Sequence, residues 1–132
     1  MIDTPYKPSD AHRLREELTG LAPLRYIVNT EPHLDHWTGN AFFDAPVVAQ
    51  EGVRRRILET DPEEHRGRGA GLGPGESESD LLGDYRVRPP TVTFTHRVTL
   101  HVGDRTFQLI HMPGHTLPGG HRDRGRGRRL HE

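Results

Sequence analysis

The sequence predicts an α/β domain, and three observations carry that prediction. Short apolar runs with strand character alternate with segments of helical periodicity as far as residue 60. The clearest strand signals come later, in two alternating runs joined by Gly103-Asp104. Side chains able to bind metal gather in two loops that follow strand-like runs, where a rigid scaffold presents polar groups. At 132 residues the chain holds one domain; schemes that separate helices from antiparallel strands would class it as α+β.

Taken in order, Ile2 reads as the last residue of a buried strand. Pro8-Ser9-Asp10 starts a helix, with Ser9 or Asp10 as the N-cap. Leu14, Leu18 and Leu21 recur at helical spacing, Glu16 and Glu17 occupy the polar side, and Gly20 and Pro23 end the helix. Leu24 to Val28 is a short strand. Trp37 to Phe43 has the makings of a short helix that Gly39 weakens. Pro46-Val47-Val48-Ala49 reads as a buried strand. The helix Glu51 to Glu59 follows, turning Val53 and Ile57 inward at i, i+4 and leaving Arg54, Arg55 and Arg56 largely solvated.

From Asp61 to Asp84 the pattern breaks. Glycines at 67, 69, 71, 73 and 75 alternate with small, charged or Pro residues, which predicts a flexible insertion over 61–84 with at most a helical turn at 79–82. Gly69-Ala70-Gly71-Leu72-Gly73 is not a dinucleotide loop, because no strand precedes it and no helix follows closely. Thr91 to Thr95, Val98 to Val102 and Thr106 to His111 then read as strands, the last two as a hairpin. Residues 118–132 form a tail rich in Arg and Gly that has almost nothing to bury and is expected to be disordered.

Composition narrows the function. The apolar fraction is 31% and glycines number 15, lean against the roughly 45–50% apolar plus Gly of ordinary domains. A net charge of −1 gives no basic footprint for nucleic acid, and the tail lacks the aromatics on which bases stack, so nucleic acid is not an expected partner. No run approaches the ~18 apolar residues of a membrane span, and no apolar segment follows a basic N-terminus. With no cysteine there are no disulfides and no thiolate ligands, and the cytoplasm is the default compartment. Ten histidines are many for this length; without Cys, a transition-metal site must use imidazole and carboxylate, which suits zinc, iron or manganese.

Two stretches could build such a site. Glu31, His33, Asp35 and His36 fall within six residues, directly after the strand-like run Arg25 to Asn29. Two surface histidines three apart are commonplace, but two added carboxylates and a preceding strand are not. His111-Met112-Pro113-Gly114-His115-Thr116 also follows a strand-like run. The remaining histidines read as surface residues, apart from His111 at a strand end, and Trp37 reads as a core anchor.

These two stretches resemble the signatures of the metallo-β-lactamase-fold hydrolases. Glu31-Pro32-His33-Leu34-Asp35-His36 stands where that family has His-x-His-x-Asp-His at a strand end, and Pro113-Gly114-His115-Thr116 matches its Pro-Gly-His-Thr loop. The resemblance implies an αββα sandwich, present in part over residues 1–117, and a centre of one or two zinc ions, with iron or manganese as alternatives. It places His33 and His115 on a first metal and Asp35 and His36 on a second. It also implies a hydrolase that uses metal-activated water on a small-molecule substrate with an ester-like or amide-like bond.

The sequence departs from the family pattern in three respects. Glu31 replaces the first histidine: with His33 and His115 it would complete a two-His, one-Glu set with an open position, or it would turn away to cap or salt-bridge locally. The family's downstream bridging Asp and final His have no counterpart here, so Asp35 reads also as a general base serving the first metal's water. Both ends read as truncated, which predicts exposed sheet edges, a tendency to oligomerise through them, and impaired activity. The alternative expectation is therefore a non-catalytic remnant with weak metal binding or none.

Overall fold

A computed structural model describes residues 1–61, 63 and 85–115. Most of the Gly-rich insertion, its turn at 79–82, Thr116 and the Arg/Gly-rich tail lie outside the described residues. Within them the order is α1 (Pro8–Thr19), β1 (Ile27–Asn29), α2 (Leu34–Trp37), a 3-10 helix (Thr38–Phe42), β2 (Val47–Gln50), α3 (Glu51–Leu58), β3 (Val92–Phe94), β4 (Arg97–Val102) and β5 (Arg105–Ile110). The α/β class is as predicted.

The first sheet is parallel, in the order β1-β2-β3. Ile27, Val28 and Asn29 face Val47, Val48 and Ala49, and Val48, Ala49 and Gln50 face Val92, Thr93 and Phe94. Crossovers through helices keep the strands parallel. The central strand β2 buries Val47, Val48 and Ala49 together, as a parallel strand covered on both faces must. Residues Met1 to Asp3 extend this sheet beyond β1: Val28 N donates to Met1 O at 2.9 Å and Asp3 N to Val28 O at 2.8 Å. The backbone of Ile2 thus takes the strand position expected of it, but the residue is 67% exposed and not buried as the sequence suggested.

Two apolar clusters hold the layers together. Ala11 of α1 meets Ile27, Phe43, Ala45 and Val47, with Leu14, Leu18 and Leu24 at the margin. Trp37 meets Ala49 together with Val53 and Ile57 of α3. The inward turn of Val53 and Ile57 is therefore as read from their spacing. Helix α1 departs from its reading at both ends. Pro8 stands at the first helical position with Lys7 as N-cap, because its fixed φ suits the first turn and its missing N–H costs nothing there. The helix stops at Thr19, and Leu21 lies beyond it, exposed to solvent.

The second sheet is the antiparallel hairpin β4-β5, with Val98 opposite Leu109 and Val102 opposite Arg105. Gly103 has φ +60° at the first position of the two-residue turn, where a side chain would be strained. Alternate residues Val98, Leu100 and Val102 are half-buried while their neighbours face solvent. Both sheets contribute walls to one cavity at the carboxyl ends of β1, β2 and β3.

Candidate metal centre

Asn29, the last residue of β1, leads straight into Thr30-Glu31-Pro32-His33, and the chain turns into α2 with His33 as its N-cap residue. The loop is pinned from below. Trp37, fully buried, donates its indole N–H to Pro32 O at 2.9 Å. Asn29 Nδ2 donates to His36 O at 3.0 Å and to Asn40 Oδ1 at 3.1 Å, and Asn40 Nδ2 donates back to Asn29 Oδ1 at 2.8 Å. A buried amide pair with its hydrogen bonds met is rigid, and here it locks the end of β1 to the segment after α2.

Above this base the polar side chains converge. Glu31, His33 and His115 each offer one ligand atom, and those atoms lie within 4.8 Å of one another. Glu31 Oε2 hydrogen-bonds His33 Nδ1 and stands 3.6 Å from His115 Nε2. The His33 and His115 rings meet edge-on, with centroids 5.4 Å apart. Two loops far apart in sequence do meet, and they bring together two imidazoles and one carboxylate. That donor set fits a divalent transition metal with positions left open. Solvent reaches it, with His115 78% and His33 52% exposed, while Glu31 at 19% is the sheltered member.

His36 and Asp35 lie outside this trio. His36 Nε2 is 3.1 Å from Glu31 Oε1 and 3.7 Å from Asp35 Oδ2, and Asp35 is 67% exposed on the first turn of α2. On its other side His36 Nδ1 is 2.8 Å from Asp3 Oδ2. Partial burial alone would lower the pKa of His36, but the hydrogen bond and charge of Asp3, then the charges of Glu31 and Asp35, outweigh it and raise the value above 6.5.

Asp3 was not singled out by sequence reasoning. Its carboxylate also accepts from Thr30 N at 2.8 Å and Thr30 Oγ at 2.7 Å, so it ties the metal-capable loop to the first strand position. Its one mark in sequence is a carboxylate placed directly after an apolar residue at a strand end.

The cavity beside the trio has a volume of about 510 Å³. Its walls are Val28 to Pro32, Gln50, Val53 and Phe94 on one side, and Gln108 to Pro113 on the other. Phe94, Leu109, Ile110 and Met112 make much of it apolar, with Gln50 and Gln108 as uncharged polar groups. In parallel α/β sheets, ligands bind outside the carboxyl ends of the strands, and this cavity is so placed.

No curated protein matches the sequence. The family model of the metallo-beta-lactamase superfamily does match, over residues 1–131. With the α/β layers, the His-rich loop after β1 and the His115 loop converging on one cavity, the chain belongs to the metallo-β-lactamase superfamily.

Proposed function

We propose that the protein is a metal-dependent hydrolase of ester-like or amide-like small molecules, with zinc as the metal and iron or manganese as alternatives. The observation that carries this reading is the convergence of Glu31, His33 and His115, drawn from two distant loops, at the mouth of an apolar cavity. A divalent cation held there would polarise a substrate oxygen and acidify a water at neutral pH. Glu31 and the two imidazoles would hold the ion. Asp35, exposed beside the site, would serve as the general base. Phe94, Leu109, Ile110 and Met112 would receive an apolar group of the substrate, and the Gln108 amide would orient its carbonyl.

The test is direct. Purified protein should carry zinc, iron or manganese by elemental analysis and should turn over a generic ester or thioester. A chelator should abolish turnover, zinc should restore it, and His33→Ala should remove both metal and activity. Metal content no higher in the wild type than in His115→Ala would favour the rival reading of a non-catalytic domain, which the solvent exposure of His115 also suits.

A further inference from the structure

We infer that the centre takes a single ion, because His36 is committed to holding Glu31 in place and is not a ligand of a second metal. The inference rests on the proposed metal site and concerns how many ions it holds and what orients them.

The two oxygens of Glu31 face different ways. Oε2 belongs to the trio, toward His33 and His115. Oε1 is held by His36 Nε2 at 3.1 Å. His36 in turn is held by Asp3 Oδ2 on Nδ1 at 2.8 Å, so both its ring nitrogens are engaged with carboxylates. Its main chain is fixed as well: His36 O accepts from Thr4 N and from Asn29 Nδ2, each at 3.0 Å. Asp3 completes the brace from an unusual backbone, with φ 53°, a conformation that costs free energy for any residue bearing a Cβ. It stays there because its N–H is bonded to Val28 O and its carboxylate to Thr30 N and Oγ. The line Asp3, His36, Glu31 thus runs from the first strand position to the trio, and it fixes which carboxylate oxygen faces His33 and His115. Partners that orient a ligand in this way govern affinity nearly as strongly as the ligands do.

A second ion would need His36 Nε2, already engaged with Glu31, and Asp35, which reaches no closer than 3.7 Å to that nitrogen. Among the described residues, Asp35 and His36 join no group of three ligand atoms within 4.8 Å. Among the described residues these two donors, one of them occupied, fall short of the three protein ligands that catalytic zinc sites use.

Cobalt(II) titration of the whole chain, followed by visible absorption and by equilibrium dialysis, tests this. The wild type should bind one equivalent. Asp3→Asn and His36→Ala should still bind one equivalent, roughly 10- to 100-fold more weakly, with a shifted cobalt spectrum because Glu31 loses its orientation. Trp37 fluorescence checks that each variant folds. Asp35→Ala, at an exposed position that leaves the fold alone, should keep both stoichiometry and affinity. Two equivalents in the wild type, reduced to one by His36→Ala or Asp35→Ala, would overturn the inference and leave the metal site standing. Binding of no cobalt, or binding indifferent to His115→Ala, would overturn the proposed site itself.

Discussion

At the scale of single residues, Tyr85 shows how much one buried polar group can matter in a lean core. The ring is almost wholly buried, 6.0 Å from Phe42, and its hydroxyl donates to Thr38 O at 3.2 Å. Burial, and then the neighbouring charge of Tyr6, push its pKa well above the ordinary 10.0. The folded state thus requires the neutral phenol, whereas the unfolded chain releases the proton near pH 10.0. The contribution to stability is complete below that pH and is lost as pH rises past it toward the folded value. Urea midpoints measured on either side of pH 10.0 should therefore fall on the alkaline side. Tyr85→Phe should lower the unfolding free energy by about 1 kcal/mol at neutral pH through the lost hydrogen bond, and should flatten the alkaline decline. An equally steep decline in the variant would mean that some other group drives it. The metal-capable residues present the opposite case. Glu31, His33 and His115 stood out because ligands need particular chemistry in particular loops. Asp3 did not, because a supporting carboxylate acts through distances that only the folded chain defines.

At the scale of elements, the short segment after α2 carries an argument of its own. Thr38, Gly39 and Asn40 are all buried, although nothing in their polarity marks them as core. Asn40 is satisfied by Asn29, by Thr4 and by Arg88 O, and Thr38 accepts from Tyr85. Gly39 reads from sequence as a weak helix residue, but in the structure it lets two backbones approach. A Cβ there would stand 2.5 Å from Pro5 O and 3.0 Å from the Thr4 Cβ. Gly39→Ala should destabilise the fold by about 1–3 kcal/mol, since a backbone carbonyl cannot step aside as a flexible side chain can. Gly20→Ala is the matched control: its nearest neighbour would be 3.9 Å away, and stability should hold. Equal urea midpoints for the two variants would refute the close approach. The same contrast explains which elements were legible in the sequence. Strand β2 and helix α3 were, because Val47-Val48-Ala49 and the i, i+4 pair Val53 and Ile57 are local patterns of burial. The end of α1 and the one-turn helix α2 were not, since Leu21 fits the spacing of α1 yet lies past the last turn that packing supports. The 3-10 segment is set by an amide network reaching residues 11 and 36 positions away.

At the scale of the whole molecule, the hairpin β4-β5 is fastened less firmly than the parallel sheet. None of its residues is fully buried, and Phe107 and Ile110 are exposed. Gln50 Nε2 bonds Thr95 O at 3.3 Å just before it, and otherwise the two sheets meet chiefly across the cavity. His115 follows the hairpin, while Glu31 and His33 follow β1, so an ion shared by these three would staple the weakly packed sheet to the well-packed one. Binding to the folded state alone adds stability by mass action, about 2.7 kcal/mol at a hundredfold excess over Kd. That gain should be felt most where the metal-free protein opens most easily. Zinc should therefore slow hydrogen exchange at the amides of Arg105 to His111 more than at those of β2, whose exchange already requires disruption of the buried core. The effect should vanish in His115→Ala, while Glu51→Gln, exposed on α3 and away from the trio, should respond as the wild type does. Protection confined to the loop 30–36, with the hairpin unchanged, would mean that the ion binds without His115 and that the two halves of the site act independently. Protection spreading into the hairpin would make metal binding part of how this lean chain completes its fold, and would account for a site assembled from both sheets rather than from the stable one alone.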